Sequence, residues 1–156
     1  MNDQDFMRAA IALSRRTMDE GKGGPFGAVI VRDGEIIAEG YNQVTSGNDP
    51  TAHAEVMAIR EACAKLGTYA LNDCVIYTSC EPCPMCLSAI YWARLKRMFY
   101  ANARQDAARI GFDDEFLYQE VPKAIDARSL PTTRLLEDEA IEAFKAWDAN
   151  PDKIPY

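Results

Sequence analysis

Cys74-Val75-Ile76-Tyr77-Thr78, then Pro82-Cys83-Pro84-Met85-Cys86, then Leu95-Lys96-Arg97-Met98-Phe99-Tyr100 is the stretch whose reading decides the fold. The first piece is a short apolar run with β-branched and aromatic side chains, which predicts a buried strand. Pro82 and Pro84 predict a helix start, where a missing N–H costs nothing. Leu87, Ile90 and Tyr91 give that helix a core face, and Leu95 to Tyr100 reads as a second strand. A helix between two strands makes a β-α-β unit, so the two strands are expected to run parallel.

The flanking sequence extends this unit. Upstream, Asp3 to Glu20 carries Phe6, Ala10, Leu13 and Thr17 at helical spacing, with Asp3 as the expected N-cap. Gly21-Lys22-Gly23-Gly24-Pro25 ends that helix. Phe26 to Val31 and Glu35 to Tyr41 read as strands joined by Asp33-Gly34, a strong hairpin signal. Thr45 to Pro50 is an expected loop, and Val56, Ile59, Cys63 and Leu66 mark one face of another helix. Gly21 to Gly27 follows a helix and precedes a strand, the wrong order for a phosphate-binding turn. Downstream, Gly111-Phe112-Asp113-Asp114 is a loop in a weakly helical region. Leu136, Ala140, Phe144 and Trp147 form a last amphipathic helix that Asn150-Pro151 ends. Helices packed on a mixed sheet make an α/β fold, and no linker or repeat is evident, so residues 1–156 are expected to form one domain.

A chain of 156 residues that is 48% hydrophobic has enough apolar surface for a sizeable core, which excludes disorder. Met1-Asn2-Asp3-Gln4-Asp5 shows neither the basic nor the apolar region of a secretory signal, and no apolar run is long enough to cross a bilayer. A cytoplasmic location away from membranes is the expectation. Acids outnumber bases by 24 to 17, and Arg94, Lys96 and Arg97 come nearest to a basic cluster. A protein that grips many phosphates usually carries a basic stripe. The acidic balance therefore favours a small substrate over tRNA or DNA.

Five cysteines in such a chain suggest metal binding or burial more than disulfides. There is one histidine, so any site that needs an imidazole must use His53. Cys83 and Cys86 sit at i and i+3 at a helix start, where both sulfurs reach one ion and the helix dipole favours thiolate. Thr51-Ala52-His53-Ala54-Glu55 opens the preceding helix. His53 belongs at its non-helical entry, where it and Glu55 can converge on one pocket. The free N–H groups of that first turn, Ala54 included, would point there too. His-x-Glu alone is weak evidence, equally a helix-capping histidine, and a lone Cys-x-x-Cys is moderate. Together they form the known signature of zinc-dependent nucleobase deaminases. Cys80 offers the competing reading, a fourth ligand that closes the shell and makes the zinc structural in a non-enzymatic module. It lies on the strand side of the turn and need not share the direction of the other two sulfurs. Cys63 and Cys74 fit helix and strand interiors, where burial explains them.

A zinc ion with an open fourth position binds water and lowers its pKa to about 7. A carboxylate beside it can take the proton and return it twice, to a ring nitrogen and then to the departing amine. Glu55 suits that duty, although a glutamate in a first helical turn is also common without any function.

His53-Ala54-Glu55-Val56 with Thr78-Ser79-Cys80-Glu81-Pro82-Cys83-Pro84-Met85-Cys86 resembles the cytidine and deoxycytidylate deaminase superfamily. The chain as a whole is more closely similar to its small bacterial guanine deaminases. Gly23 to Ala28, Asn48 to Thr51, Ala89 to Arg94, Gly111 to Asp114 and the terminal Tyr156 carry that likeness, whereas Asp126 to Glu139 adds little. The resemblance implies a three-layer α/β/α fold, one zinc per chain on His53, Cys83 and Cys86, and conversion of guanine to xanthine. It also implies that Asn42 contacts the base and that Asp114 assists Glu55 in proton transfer, with Asp113 the neighbour expected only to cap a helix. Phe26 and Trp92 would wall the base, or be ordinary core. Guanine deaminases of this kind exchange their C-terminal segments, which implies a homodimer in which residues 132–156 cross over and Tyr156 closes the partner's pocket. Ser129-Leu130-Pro131 could then act as a hinge, against the plainer reading of a frayed tail. Plant guanosine deaminases share much of the pattern. A tRNA adenosine deaminase shares the metal motif, but would call for a basic surface.

Overall fold

In the computed structural model, which describes residues 1–156, the chain opens with helix α1 (Asp3–Asp19). Asn2 is its N-cap, in place of the expected Asp3. The Asn2 side chain accepts the Asp5 N–H at 3.1 Å and the Asp5 carboxylate accepts the Asn2 N–H at 3.0 Å. This reciprocal pair satisfies two donors that a helix start leaves orphaned. Asp3 instead accepts a hydrogen bond from the Tyr77 hydroxyl at 2.6 Å.

Strands β1 (Gly27–Arg32) and β2 (Glu35–Tyr41) form the expected hairpin. Asp33 and Gly34 both take positive φ, 51° and 80°, as a tight two-residue turn requires. A single helical turn, α2 (Val44–Gly47), occupies part of the stretch read as loop. Then come α3 (Ala54–Leu66), β3 (Val75–Cys80), α4 (Pro84–Trp92), β4 (Arg97–Asn102), α5 (Arg104–Arg109) and α6 (Asp114–Glu120).

The sheet order is β2-β1-β3-β4, with β1 antiparallel to β2 and β3, and β3 parallel to β4. The parallel pair flanks α4, as the β-α-β reading requires. Strand side chains alternate between faces. Val29, Val31 and Tyr77 pack with Phe6 and Ala10 of α1, whereas Ala28, Ile30 and Ile76 pack with α3 and α4. The result is the three-layer α/β/α fold.

Two helix faces differ from expectation. On α3 the fully buried residues are Ala54, Ala58 and Ala62, while Val56, Ile59, Cys63 and Leu66 are only half-buried. A Cβ placed on Gly40 of β2 would overlap the Ala54 carbonyl and the Ala58 N–H, so the helix backbone lies directly on the strand and only alanines fit between. On α4, Ile90 is buried, Leu87 is half-buried and Tyr91 is exposed. One residue beyond Ile90, the helical step of 100° turns Tyr91 out of the core.

The chain forms two compact units, Met1–Tyr118 and Gln119–Tyr156. The second holds a single 3₁₀ turn, Ile125–Ala127, and helix α7 (Glu137–Ala149), with residues 131–136 between them in no regular structure. Arg128 ties its start together by donating to the Glu120 and Val121 carbonyls. Leu136, Phe144 and Trp147, the expected apolar face of α7, are exposed. No helix is long and apolar enough to cross a membrane.

Candidate active site

Two helix N-termini supply the metal ligands. His53 is the N-cap of α3 and Cys83 the N-cap of α4, both with extended backbone (φ −75°, ψ 154° and φ −64°, ψ 168°). Pro84 follows at the first helical position, and Cys86 lies one turn on from Cys83. Extended N-caps swing His53 and Cys83 out of the helical spiral and toward each other. His53 Nδ1 lies 3.6 Å from Cys83 Sγ and 3.5 Å from Cys86 Sγ, and all three ligand atoms lie within 4.8 Å of one another. Tetrahedral zinc, with bonds of about 2.3 Å to sulfur and about 2.05 Å to nitrogen, places such atoms about 3.5 Å apart. The spacing fits that ion.

The donor chemistry fits as well. Hydrogen bonds from the Cys86 thiol and from His53 pull Cys83 down to about 4, while Cys86 is pushed up by its bond to Cys83 and by burial. His53 is raised, chiefly by its contact with Cys83. The pull on Cys83 is toward thiolate, which is the state a zinc ligand needs. Cys80 does not join the cluster. Its Sγ approaches the Ala103 carbonyl at 3.9 Å, and burial pushes its thiol up to about 12.

Glu55, the second residue of α3, is buried with its carboxylate Oε1 accepting a hydrogen bond from the Thr78 hydroxyl at 2.7 Å. Burial raises its pKa, and the Thr78 bond acts in the opposite sense. His53, Glu55 and Cys83 line a cavity of ≈ 520 Å³ whose wall also includes Phe26, Asn42, Phe112 and Asp114. Ala54 is buried at the first position of α3, where its N–H is among those without an intrahelical partner.

Asn42 follows β2, and its orientation is fixed. Its Oδ1 accepts the Gly24 N–H at 3.3 Å and the Val44 N–H at 3.1 Å, so its NH₂ is left to donate. Asp113 and Asp114 take different places. Asp113 Oδ1 accepts the Phe116 N–H at 3.2 Å in the first turn of α6, whereas Asp114 lines the cavity. Burial raises the Asp114 pKa, and the nearby Cys83 adds to the effect. Trp92 is not brought to the cavity. It ends α4 at 62% exposure, with the Arg94 guanidinium 6.0 Å from its ring. Tyr156 lies in the second unit and is exposed.

Two residues escaped the sequence reading. Phe112 meets Phe26 edge-on, with centroids 4.8 Å apart at 85°, and the pair forms the apolar wall. Its position beside two aspartates in a loop, where an aromatic has no core to fill, was the available signal. Thr78 gave none, because threonine is ordinary in a strand.

Residues 1–102 match the family model described as the cytidine and deoxycytidylate deaminase zinc-binding region. The chain is 54% identical to the guanine deaminase of Bacillus subtilis over 156 residues, the whole of both proteins. An X-ray structure of guanine deaminase from that organism superimposes with a TM-score of 0.97, covering 100% of this chain and 99% of the other. A tRNA-specific adenosine deaminase of Aquifex aeolicus is 40% identical over 101 residues, 65% of this chain and 66% of its own length.

Proposed function

The chain belongs to the cytidine and deoxycytidylate deaminase family, and we propose that it is the guanine-specific member: a hydrolase that converts guanine and water to xanthine and ammonia. The observation that carries the chemistry is a buried carboxylate, Glu55, sharing one cavity with a His-Cys-Cys cluster of zinc dimensions. The observation that carries the substrate is 54% identity to a guanine deaminase over the whole of both chains, against 40% over 101 residues to the tRNA enzyme.

His53, Cys83 and Cys86 would hold the ion. When bound, zinc supplies a Lewis acid with a fourth position open for water, which it makes far more acidic. Glu55 takes a proton from the water whose oxygen adds to C2 of guanine, and delivers it to ring N3. A second transfer moves the proton of the new C2 hydroxyl to the exocyclic nitrogen. The C2–N bond then breaks, C2 becomes a carbonyl, and ammonia leaves. Asp114, whose pKa is raised by burial, lines the same cavity and assists these transfers. The Asn42 NH₂ donates to an acceptor on the purine edge, while Phe26 and Phe112 cover its apolar face.

The working form on this reading is a homodimer with exchanged C-terminal segments, residues 132–156. What supports it is a helix that leaves large apolar side chains in solvent: Phe144 is 74% and Trp147 48% exposed. An exposed apolar face of this kind is a surface that a partner chain can cover. Tyr156 would then close the partner's cavity against water. Five free cysteines accord with a reducing, cytoplasmic setting. Ammonia release by the purified protein across guanine, guanosine, cytosine and adenosine tests the function. Guanine is expected to be turned over far faster than the rest. Guanosine as best substrate would assign a nucleoside deaminase instead.

A further inference from the structure

Thr78 lies on the α3-facing side of β3, two residues from the core residue Ile76, and is almost entirely buried. Valine at such a buried position would have the same shape and no hydroxyl to satisfy, whereas a buried hydroxyl needs a partner. The hydroxyl here has two acceptors within reach, Glu55 Oε1 at 2.7 Å and the Cys80 carbonyl at 3.0 Å, and one proton to give. The charged acceptor makes the shorter and stronger bond. Thr78 therefore occupies one oxygen, Oε1, of a carboxylate side chain that lines the cavity and also bonds the Cys86 thiol.

We propose that Thr78 is the positioning residue of Glu55: its hydroxyl anchors Oε1, so that Oε2 alone carries protons between water and substrate. The inference rests on the reading of Glu55 as the proton shuttle. A glutamate reaches its site through three rotatable bonds, and the shuttle must serve two substrate atoms in succession without losing its aim. A fixed hydrogen bond from a rigid central strand supplies the anchor, because neither partner can retreat into solvent. The strand is held on both sides, antiparallel to β1 and parallel to β4, so the anchor is stiffer than a loop residue would be.

The test compares Thr78→Val, Thr78→Ser and Glu55→Gln in zinc-loaded protein, with kcat, KM, zinc content and thermal midpoint measured for each. Thr78→Val keeps the volume and branching of the side chain. It is expected to lower kcat roughly 10- to 100-fold, as a misplaced catalytic group does, with KM within about twofold and zinc content unchanged. Thr78→Ser keeps the hydroxyl and should restore kcat to within about threefold of the parent. A crystal structure of Thr78→Val should show the Glu55 carboxylate turned from its parent orientation. Normal kcat in Thr78→Val, or equal loss in Thr78→Ser, overturns the proposal. If Thr78→Val loses zinc or its folding transition, Thr78→Ser against Thr78→Ala decides by the same measure, and equal kcat in that pair overturns it. Glu55→Gln separates the two readings. Full activity there sinks the shuttle itself, whereas an inactive Glu55→Gln beside a fully active Thr78→Val sinks only the anchor.

Discussion

Gly40 and Ala54 are in backbone contact across the interface between β2 and α3, with no room for a side chain on the glycine. Ala54 opens the helix that carries Glu55 on its next residue and has His53 as its cap. The depth at which the site sits is therefore set by one hydrogen atom on a strand. Gly40→Ala must push the first turn of α3 away from the sheet. Overpacking of this kind costs about 1–3 kcal/mol, so the thermal midpoint should fall. Zinc affinity should fall with it, because His53 moves and the cysteines do not. A chelator competition assay measures this directly, and an unchanged affinity would show that the helix start is not fixed by Gly40.

Glu55→Gln retains the size of the side chain and the Thr78 hydrogen bond but removes the proton carrier. Since a positioned general acid–base group contributes ~10² or more, turnover should fall by at least that factor while one zinc per chain remains. Near-normal turnover in a metal-loaded variant would remove Glu55 from the reaction.

How far the sequence foretold these elements depends on what kind of force placed them. The β-α-β unit, the Asp33-Gly34 hairpin and the His53–Cys83–Cys86 cluster were legible because each follows from local chemistry: periodicity, a turn that needs positive φ, ligands at helix starts. The alanine face of α3 was not, since it depends on the bare backbone of Gly40 on another element. Hydrophobicity alone pointed to Val56, Ile59, Cys63 and Leu66. Tyr91 and Trp92 misled for a related reason. Large aromatics read as core or pocket wall, yet at the end of α4 both face outward. The Asn2 cap was hidden by its neighbour Asp3, an equally good capping residue. Phe112 reaches Phe26 only through the tertiary fold.

Asp114 and Asp113 are adjacent and separable. Asp114→Asn should depress kcat on guanine, because Asp114 faces the cavity. Asp113→Asn, which changes a residue hydrogen-bonded within its own helix turn, should leave kcat nearly unchanged and cost at most about 1 kcal/mol of stability. Steady-state kinetics and thermal melts of the two variants decide. If Asp113 proves the more sensitive in kcat, the cavity assignment is wrong.

Tyr77 makes stability depend on alkaline pH. Burial, with help from the carboxylate of Asp3, raises its phenol from 10 to about 12. The folded state then holds this proton over a range in which the unfolded state has lost it. Stability from this group is complete below pH about 10 and falls as pH rises toward about 12. Tyr77→Phe cannot ionise, so the difference in stability between parent and variant should narrow over that interval. Chemical denaturation in steps from pH 9 to pH 11 measures it, and a constant difference would show that Tyr77 titrates normally in the folded protein.

The exchange of C-terminal segments, residues 132–156, predicts complementation between two inactive chains. One chain carries Glu55→Gln with its tail intact; the other keeps Glu55 but lacks Asp152 to Tyr156. If the tail closes the partner's cavity, a mixed dimer has one complete site, formed by the Glu55 of the truncated chain under the tail of the other. Random reassociation makes about half the dimers mixed, and each has one working site of two, so activity should return to roughly a quarter of the parent's. Without exchange, each tail stays over its own cavity. The only intact Glu55 then lies in the chain that has no tail, and the mixture is as inactive as its parts. Co-refolding, confirmation of mixed dimers by mass, and an ammonia assay carry out the test. A truncated chain that is fully active alone would instead remove Tyr156 from the site.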